Sequence, residues 1–303
     1  MCGLYGFLKY GNDKIDINGL TKSLAVEAAE RGTDATGIAY NTKNGISIYK
    51  KPQSAYDIRF KIPDTKALIG HTRHATQGDT HCNENNHPFP GLAGKTSFAL
   101  AHNGIIGNDK ALRSSLGIPD AKIETDSYIA VQLIEQKRQL NSETLKYMAE
   151  TVVGSYSFSI LDMYGNIWLV KGDSPLSILH FPKRKIYVYA STSEILWHAL
   201  IDTELFNDLQ SHNYSEILID EGDILKICKG GRLKRSNFHY IDSFKFVDSW
   251  MNYSVYGNDS FSEDGYIDEL KAMANAFGYS CDDIDTLLME GFTPEEIEEY
   301  FYV

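Results

Sequence analysis

The chain has 303 residues, of which 43% are hydrophobic and 23% charged, and its formal net charge at pH 7 is −12. A chain of this length and apolar content buries a large core without a metal or a disulfide, and its negative charge argues against nucleic acid or an anionic membrane as the main partner. The sequence contains no apolar run near 18 residues and no basic segment leading into an apolar one at its start, so it predicts neither a membrane span nor a signal peptide.

The cysteines lie at positions 2, 82, 228 and 281, with no C-x-x-C pair and no metal-ligand spacing. This pattern is typical of a reducing compartment, and we expect a cytoplasmic location. Cys2 differs from the others, because removal of Met1 would make it the N-terminal residue. It would then carry both a thiol nucleophile and an α-amine with a pKa of roughly 7.7 to 8.0, suited to act as its base. Chance also places cysteine second in some chains, so this pair alone leaves both interpretations open.

Hydrophobic periodicity and turn signals predict alternating strands and helices. In chain order we expect a buried strand at 4–9, a helix at 18–31, a hairpin at 38–49, and strands at 67–70 and 98–101. Two helices at 128–136 and 142–152 follow, with Thr125 or Asp126 as the N-cap of the first. Four strands come next, at 155–161, 166–170, 176–181 and 185–190. Two helices between two groups of strands predict layers of sheet and helix packed on each other.

Polar residues follow two of the predicted strands, where sites tend to lie. After 67–70, Arg73 offers a planar fork suited to a carboxylate, with the Thr76 hydroxyl near it. After 98–101, Asn103-Gly104 offers a side-chain N–H and an unobstructed backbone N–H, the chemistry of an oxyanion hole. The alternative for Asn103-Gly104 is a type I′ hairpin turn.

Four histidines in this region are candidate metal ligands. The spacing of His71, His74, His81 and His87 matches neither H-E-x-x-H nor a Cys/His finger. The sequence therefore predicts no metal site, and nothing in it calls for a cofactor.

The motifs together resemble the class II glutamine amidotransferases, a branch of the N-terminal-nucleophile hydrolases, and are most similar to the glutaminase domain of glucosamine-6-phosphate synthase. They keep the family order over residues 1 to about 245. The matching positions are Cys2-Gly3, Arg31-Gly32 with Asp34 and Gly37, Gly70 to Arg73 with Ala75, Thr76 and Gly78, Asn86 to Pro88, His102 to Ile106 with Asn108, Glu124 to Asp126, Gly154 to Tyr156, and Glu221 to Ile224 as the final strand.

The resemblance implies an α+β fold, the four-layer αββα sandwich of the N-terminal-nucleophile hydrolases, for residues 1–245. Residues 246–265 have the composition of a linker, and 266–303 predict a small helical extension. Within it, two copies of a capping-box pattern begin at Gly278 and Gly291. The extension is expected to cover the main domain, to mediate dimerisation or to dock a partner, and the sequence leaves these alternatives open.

The resemblance also assigns residue roles. Cys2 is the nucleophile and its own base, Asn103 and Gly104 hold the oxyanion, and Arg31 orders the Cys2 region. The implied substrate-binding residues are Arg73 and Thr76 for the glutamine α-carboxylate, Asp126 for its α-ammonium, and His74, Gln77 and His87 around them.

Three positions depart from the family pattern. His74 stands where a large aromatic is usual, Gln77 where a histidine is frequent, and Thr33 where a tyrosine is common. None of these changes removes a nucleophile, an oxyanion donor or a substrate ion pair. We therefore expect catalysis to survive, with altered glutamine affinity or loop closure.

The implied reaction is hydrolysis of L-glutamine to glutamate and ammonia through a γ-glutamyl thioester. Family members fuse this domain to an ammonia-consuming one, whereas about 60 residues follow it here, so the expected partner is a separate acceptor enzyme acting in trans. No nucleic acid or membrane partner is expected, and homo-oligomer formation is left open. Two alternatives are a hydrolase of a larger acyl amide and a catalytically silent regulatory or binding module.

Overall fold

A computed structural model describes residues 2–75, 77–240, 271, 280–289, 292, 293 and 297. The chain divides into two compact units, Met1–Ser243 and Phe244–Val303. The predicted linker at 246–265 and most of the predicted extension at 266–303 lie outside the described residues.

Within residues 2–240, the strands form two antiparallel sheets. The first sheet has the spatial order β11 (Ser215–Glu216), β9 (Ser177–Phe181), β10 (Ile186–Ala190), β1 (Gly3–Lys9), β4 (Ala67–Arg73), β2 (Ala35–Thr42) and β3 (Gly45–Lys51). The second has the order β13 (Leu233–Asn237), β12 (Asp223–Ile227), β8 (Ile167–Lys171), β7 (Gly154–Asp162), β6 (Thr96–Ile106) and β5 (Phe89–Ala93). The helices of this unit are α1 (Ile17–Ala28), α2 (Asp109–Leu116), α3 (Tyr128–Lys137), α4 (Ser142–Thr151), α5 (Ser193–Leu200) and α6 (Phe206–Gln210).

The two sheets face each other and helices cover their outer faces. On β1, Leu4 and Leu8 point into the core between the sheets, whereas Tyr5 and Phe7 pack in the core beneath α1 and α5. This alternation explains why every residue of β1 is buried, since a strand in the middle layer has two apolar neighbours. Helices α3 and α4 cover the second sheet in the same way. The predicted four-layer αββα sandwich is confirmed.

Most predicted elements are confirmed to within a few residues. The exceptions among the strands are those predicted at 67–70 and 98–101, which are too short. β4 continues to Arg73 because β1 and β2 pair with it on both sides, with Gly3 opposite Thr72 and Ala35 opposite Arg73. β6 continues to Ile106 because β7 pairs with it from Phe98 to Ile106. The neighbouring strands thus supply the backbone partners that the polar sequence does not reveal.

Other differences concern helices and the end of the domain. Thr125 or Asp126 as N-cap is wrong, because α3 begins after Ser127 and the Asp126 carboxylate instead accepts the Ile106 N–H at 2.6 Å. Helices α2, α5 and α6 were not predicted, and β13 follows the strand that was expected to be the last. Among the described residues, no helix combines the length and the hydropathy needed to cross a bilayer.

In the second unit, the structure describes one short helix, α7 (Cys281–Met289). Ser280 and Asp283 form the predicted capping box, in which the Ser280 hydroxyl accepts the Asp283 N–H at 3.2 Å and the Asp283 carboxylate accepts the Ser280 N–H at 2.7 Å. Ile284 and Ile297 are buried together. The second predicted capping box lies largely outside the described residues.

Three buried histidines lie where the sheets meet. His71 on β4 reaches across to β6, where its Nε2 lies 2.9 Å from the carbonyl oxygen of His102. His87 packs between His71 and Phe89, with ring centroids 4.2 Å from each. Burial lowers the pKa of His71 to about 3, that of His87 well below its ordinary value, and that of His102 as well. All three are therefore neutral at pH 7, and His71 must carry its proton on Nε2 to donate this bond.

These histidines predict loss of stability in mild acid. In the unfolded chain each has a pKa near 6.5, so below that value the unfolded state binds more protons than the folded state. The contribution of these histidines to the free energy of unfolding is fully present above about pH 6.5. As the pH drops below that value, it falls by up to about 1.4 kcal/mol per pH unit for each histidine. Urea unfolding between pH 8 and 5 measures this slope. His87→Leu should flatten it, whereas replacing the exposed His198 with Gln should not. A pH-independent free energy of unfolding would contradict the prediction.

Gly104 interrupts the regular conformation of β6. Its φ is +137°, and a Cβ there would lie 1.9 Å from the carbonyl oxygen of Ser155 on the neighbouring strand. Gly45 offers a matched comparison, with a φ of +119° and nothing within 4 Å of the added Cβ.

We expect Gly45→Ala to lower the free energy of unfolding by about 1 kcal/mol through backbone conformation alone. Gly104→Ala should lower it by at least about 2 kcal/mol more, because its methyl group also meets backbone. Urea titrations of both variants test this. Equal losses would show that β7 yields to the added methyl.

Candidate active site

Cys2 precedes β1 and is held at both its backbone and its side chain. Its carbonyl oxygen accepts a hydrogen bond from Arg31 Nε at 2.8 Å, and its thiol donates to the His74 carbonyl oxygen at 3.5 Å. Burial raises the pKa of the thiol, an effect that the Asp126 charge reinforces and the Arg73 charge opposes. At neutral pH the thiol is therefore protonated, and a nucleophilic role requires a nearby base.

Arg31 occupies the end of the 3-10 turn Ala29–Arg31, which continues α1. The next residue must be small, because a Cβ on Gly32 would lie 2.4 Å from the backbone nitrogen of His74. This close approach brings the turn against the chain that leaves β4. Residues 29–33 and His74 line a cavity of about 530 Å³. Two of the lining residues, Arg31 and His74, contact Cys2.

Asn103 and Gly104 lie inside β6, paired with Ser157 and Tyr156 of β7. The expected strand end and the alternative hairpin turn are therefore both wrong. The Asn103 side chain is buried, and neither of its amide atoms has a hydrogen-bond partner among residues 2–75 and 77–240. A buried amide without a partner is costly to stability, by about 1–3 kcal/mol, so a ligand that accepted from it would recover part of that cost.

Arg73 lies at the end of β4, with its side chain buried under the loop that follows. Nη1 donates to Asn86 Oδ1 at 2.7 Å, and Nη2 donates to the carbonyl oxygens of Gln77 and Gly78. The guanidinium thus holds the loop rather than a carboxylate side chain. Thr76, its expected companion, lies outside the described residues.

Asp126 is buried, 6% exposed, and its carboxylate is held by neutral donors. Oδ2 accepts the Ile106 N–H at 2.6 Å and Oδ1 accepts the Ser127 hydroxyl at 3.1 Å. Across the described ranges, no Lys or Arg forms an ion pair with it. A buried carboxylate with only neutral donors favours a cationic ligand.

Of the remaining predicted substrate-binding residues, Gln77 and His74 lie in the loop after β4, and His87 lies in the protein interior. Gln77 Oε1 accepts the Asp126 backbone N–H at 3.2 Å. His74 is exposed and meets Cys2 through its backbone, while His87 lies in the buried histidine group behind β4. His81 is exposed as well.

Two contributors were missed from the sequence. Ser127 Oγ lies 2.8 Å from His102 Nδ1 in addition to its bond to Asp126. Lys50 on β3 donates to the carbonyl oxygen of Asn86 at 2.6 Å, and burial lowers its pKa to about 8. The only sequence signal for Ser127 was its position next to Asp126. Lys50 had no sequence signal, because it lies in a hairpin strand far along the chain from the loop that it contacts.

Known proteins similar to this chain were found by sequence and by fold, although no family model matches it. The chain is 34% identical over 188 residues to the isomerizing glutamine–fructose-6-phosphate aminotransferase of Bacillus subtilis strain 168, a match that covers 59% of this chain and 30% of that enzyme. The corresponding protein of Listeria innocua is 32% identical over 187 residues, with the same coverage. The chain thus matches about 30% of the length of these curated relatives.

By structure, the chain is similar to glutamine phosphoribosylpyrophosphate amidotransferase from B. subtilis complexed with ADP and GMP. The TM-score is 0.63 at 20% identity, over 78% of this chain and 49% of that one. A structure described as the allosteric regulatory enzyme of purine biosynthesis gives a TM-score of 0.61, also at 20% identity, with the same coverage. These likenesses concern the fold. The chain is therefore similar in sequence to these aminotransferases over 59% of its length, and it has the α+β sandwich fold of the two solved amidotransferase structures.

Proposed function

We propose that this protein hydrolyses the side-chain amide of L-glutamine to glutamate and ammonia, with Cys2 as the nucleophile. The observation that carries the proposal is the arrangement of charges at Cys2. The Cys2 thiol donates to the carbonyl oxygen of His74, the residue after the buried Arg73, and Gln77 of the same loop contacts both Arg73 and Asp126, so the two opposite charges are linked through the loop that contacts the thiol. A free amino acid carries the complementary pair, an α-carboxylate and an α-ammonium, so this arrangement favours glutamine over a simple amide.

The proposed reaction begins with removal of Met1. The freed α-amine of Cys2 takes the thiol proton, and the sulfur attacks the amide carbon of glutamine. The Asn103 amide and the Gly104 N–H stabilise the resulting oxyanion. The C–N bond then breaks, and the departing nitrogen takes a proton from the ammonium of Cys2 and leaves as ammonia. Water adds to the γ-glutamyl thioester, and glutamate and the thiol are released.

Substrate binding in this proposal uses both buried ions. The carboxylate of Asp126 takes the α-ammonium. Arg73 takes the α-carboxylate, for which the carbonyl oxygens of Gln77 and Gly78 must yield their places on Nη2. Opening and closing of this loop is therefore part of substrate binding. Thr76, His74 and Gln77 belong to this loop, whereas Arg31 acts by holding the Cys2 carbonyl.

We further propose that the ammonia passes to a separate acceptor enzyme. The matched relatives are named for aminotransfer to fructose 6-phosphate, and the match covers about 30% of their length. Free ammonia becomes ammonium at neutral pH and is then a poor nucleophile, so delivery to a docked enzyme is chemically favoured. A cytoplasmic location belongs to the same proposal, since the nucleophilic thiol must stay reduced.

Cys2→Ala should abolish glutamate release from L-glutamine, by about a thousandfold or more, because the variant lacks the nucleophile. Cys82→Ala is the matched control, since Cys82 is another free, half-buried cysteine. Glutamate is measured enzymatically, and intact mass shows whether Met1 has been removed.

The expected result is a mass lacking one methionine, activity in the parent protein and in Cys82→Ala, and none in Cys2→Ala. Activity that survives in Cys2→Ala would overturn the mechanism. Retention of Met1 together with no glutamate release would instead support a silent binding module.

A further inference from the structure

The Ser127 hydroxyl contacts both Asp126, which binds the substrate ammonium in the proposed function, and His102, the residue before Asn103. Its hydroxyl donates to Asp126 Oδ1 at 3.1 Å, and its oxygen lies 2.8 Å from His102 Nδ1. A hydroxyl has one proton to donate, so the oxygen must accept from the histidine. His102 is therefore the Nδ1–H tautomer, and the chain of bonds runs in one direction from His102 through Ser127 to Asp126.

His102 is itself fixed at two further points. It lies on β6 directly before Asn103, and its carbonyl oxygen accepts from His71 of the opposite sheet at 2.9 Å. Its ring stacks on Phe158 with a centroid distance of 4.7 Å. The His102 ring therefore gives Ser127 an immobile donor.

The same carboxylate is tied to β6 a second time, because Asp126 Oδ2 accepts the N–H of Ile106, three residues after Asn103. The two carboxylate oxygens are thus bonded to the strand on either side of Asn103, one directly and one through Ser127. Each hydrogen bond fixes one carboxylate oxygen of Asp126, and the two bonds together fix the orientation of the carboxylate relative to β6.

We propose that Ser127 is a positioning residue that orients the Asp126 carboxylate toward the α-ammonium of the substrate. By linking that carboxylate to the strand of Asn103, it sets the separation between the ammonium site and the amide-cleaving site. It thereby favours an amino acid with the side-chain length of glutamine. This inference rests on the proposed function and assigns a specificity role within the same site.

The test compares two substrates that differ only in the group Asp126 would bind. Glutaramate has the carboxylate and the terminal amide of glutamine but lacks the α-ammonium. Ser127→Ala should lower kcat/KM for glutamine by about 10- to 30-fold, mainly through a higher KM, as expected for loss of a hydrogen bond to a charged group. For glutaramate the change should stay within about twofold. Ammonia release is the readout for both substrates.

An isosteric pair separates the hydroxyl from packing and also serves if Ser127→Ala fails to fold. Ser127→Thr keeps the hydroxyl and should behave as the parent, whereas Ser127→Val has the same shape without it and should show the glutamine-specific loss. In an Asp126→Asn background, removal of the hydroxyl should have little further effect on glutamine, because the two residues act as one unit.

The outcomes for the two proposals differ. A parent protein that releases no ammonia from glutamine overturns the proposed function and this inference with it. An active parent whose Ser127→Ala and Ser127→Val variants lose equal activity on both substrates, or none on glutamine, overturns the role of Ser127 and leaves the glutaminase intact.

Discussion

The hydrogen bond from His71 to the carbonyl of His102 joins the two sheets at the place where the candidate site is built. It is possible because β4 and β6 face each other across the inner layer and the imidazole of His71 extends from one strand to the other. The ring that donates this bond is uncharged because an imidazolium in this apolar layer would carry a large desolvation penalty, which outweighs the preference of the carbonyl for a charged donor. Burial enforces that state by holding the pKa of His71 to about 3. The position of Asn103, the next residue on β6, follows from this contact.

The charges of Arg73 and Asp126 are stabilised by hydrogen bonds to neutral groups. Arg73 is surrounded by an amide oxygen and backbone carbonyls, and Asp126 by a backbone N–H and a hydroxyl. If these two ions paired with each other, their attraction would have to be broken before a zwitterion could bind. Arg73 and Asp126 are bound to dipoles and not to each other, and a ligand with two opposite charges would exchange these ion–dipole hydrogen bonds for ion pairs.

Much of the fold follows from local patterns in the sequence. β1 was predicted because it is apolar on both faces, and the hairpin of β2 and β3 because Asn44-Gly45 separates two alternating segments. For the segments from His71 to Arg73 and from His102 to Ile106 the sequence predicts loops, because polar residues break the apolar run. They are strands since their neighbours pair with them and the opposite sheet satisfies their side chains, which is information from distant parts of the chain.

The same limit applies to the candidate site. Family motifs identified Cys2, Arg31 and Asp126, and the structure bonds Arg31 to the Cys2 carbonyl oxygen and Asp126 to Gln77 of the loop after Arg73. Asn103-Gly104 was singled out with two interpretations, an oxyanion pair at a strand end and a hairpin turn, and the structure instead places both residues inside a strand with an unusual φ at Gly104. Ser127 escaped notice because its two partners are a neighbour and a residue 25 positions away. A hydroxyl between two such groups has no sequence pattern of its own.

The departures from the family pattern differ in consequence because they use different atoms. His74 meets Cys2 through its carbonyl oxygen, a contact that any residue would supply, so the change of side chain leaves that hydrogen bond in place. Gln77 uses both its backbone oxygen, which faces Arg73, and its side-chain oxygen, which accepts the Asp126 N–H. One residue thereby bridges the two ions that would bind the ends of the substrate. Replacement of the side chain there changes how the loop is held, so Gln77 is the departure placed to affect glutamine binding in the proposed function.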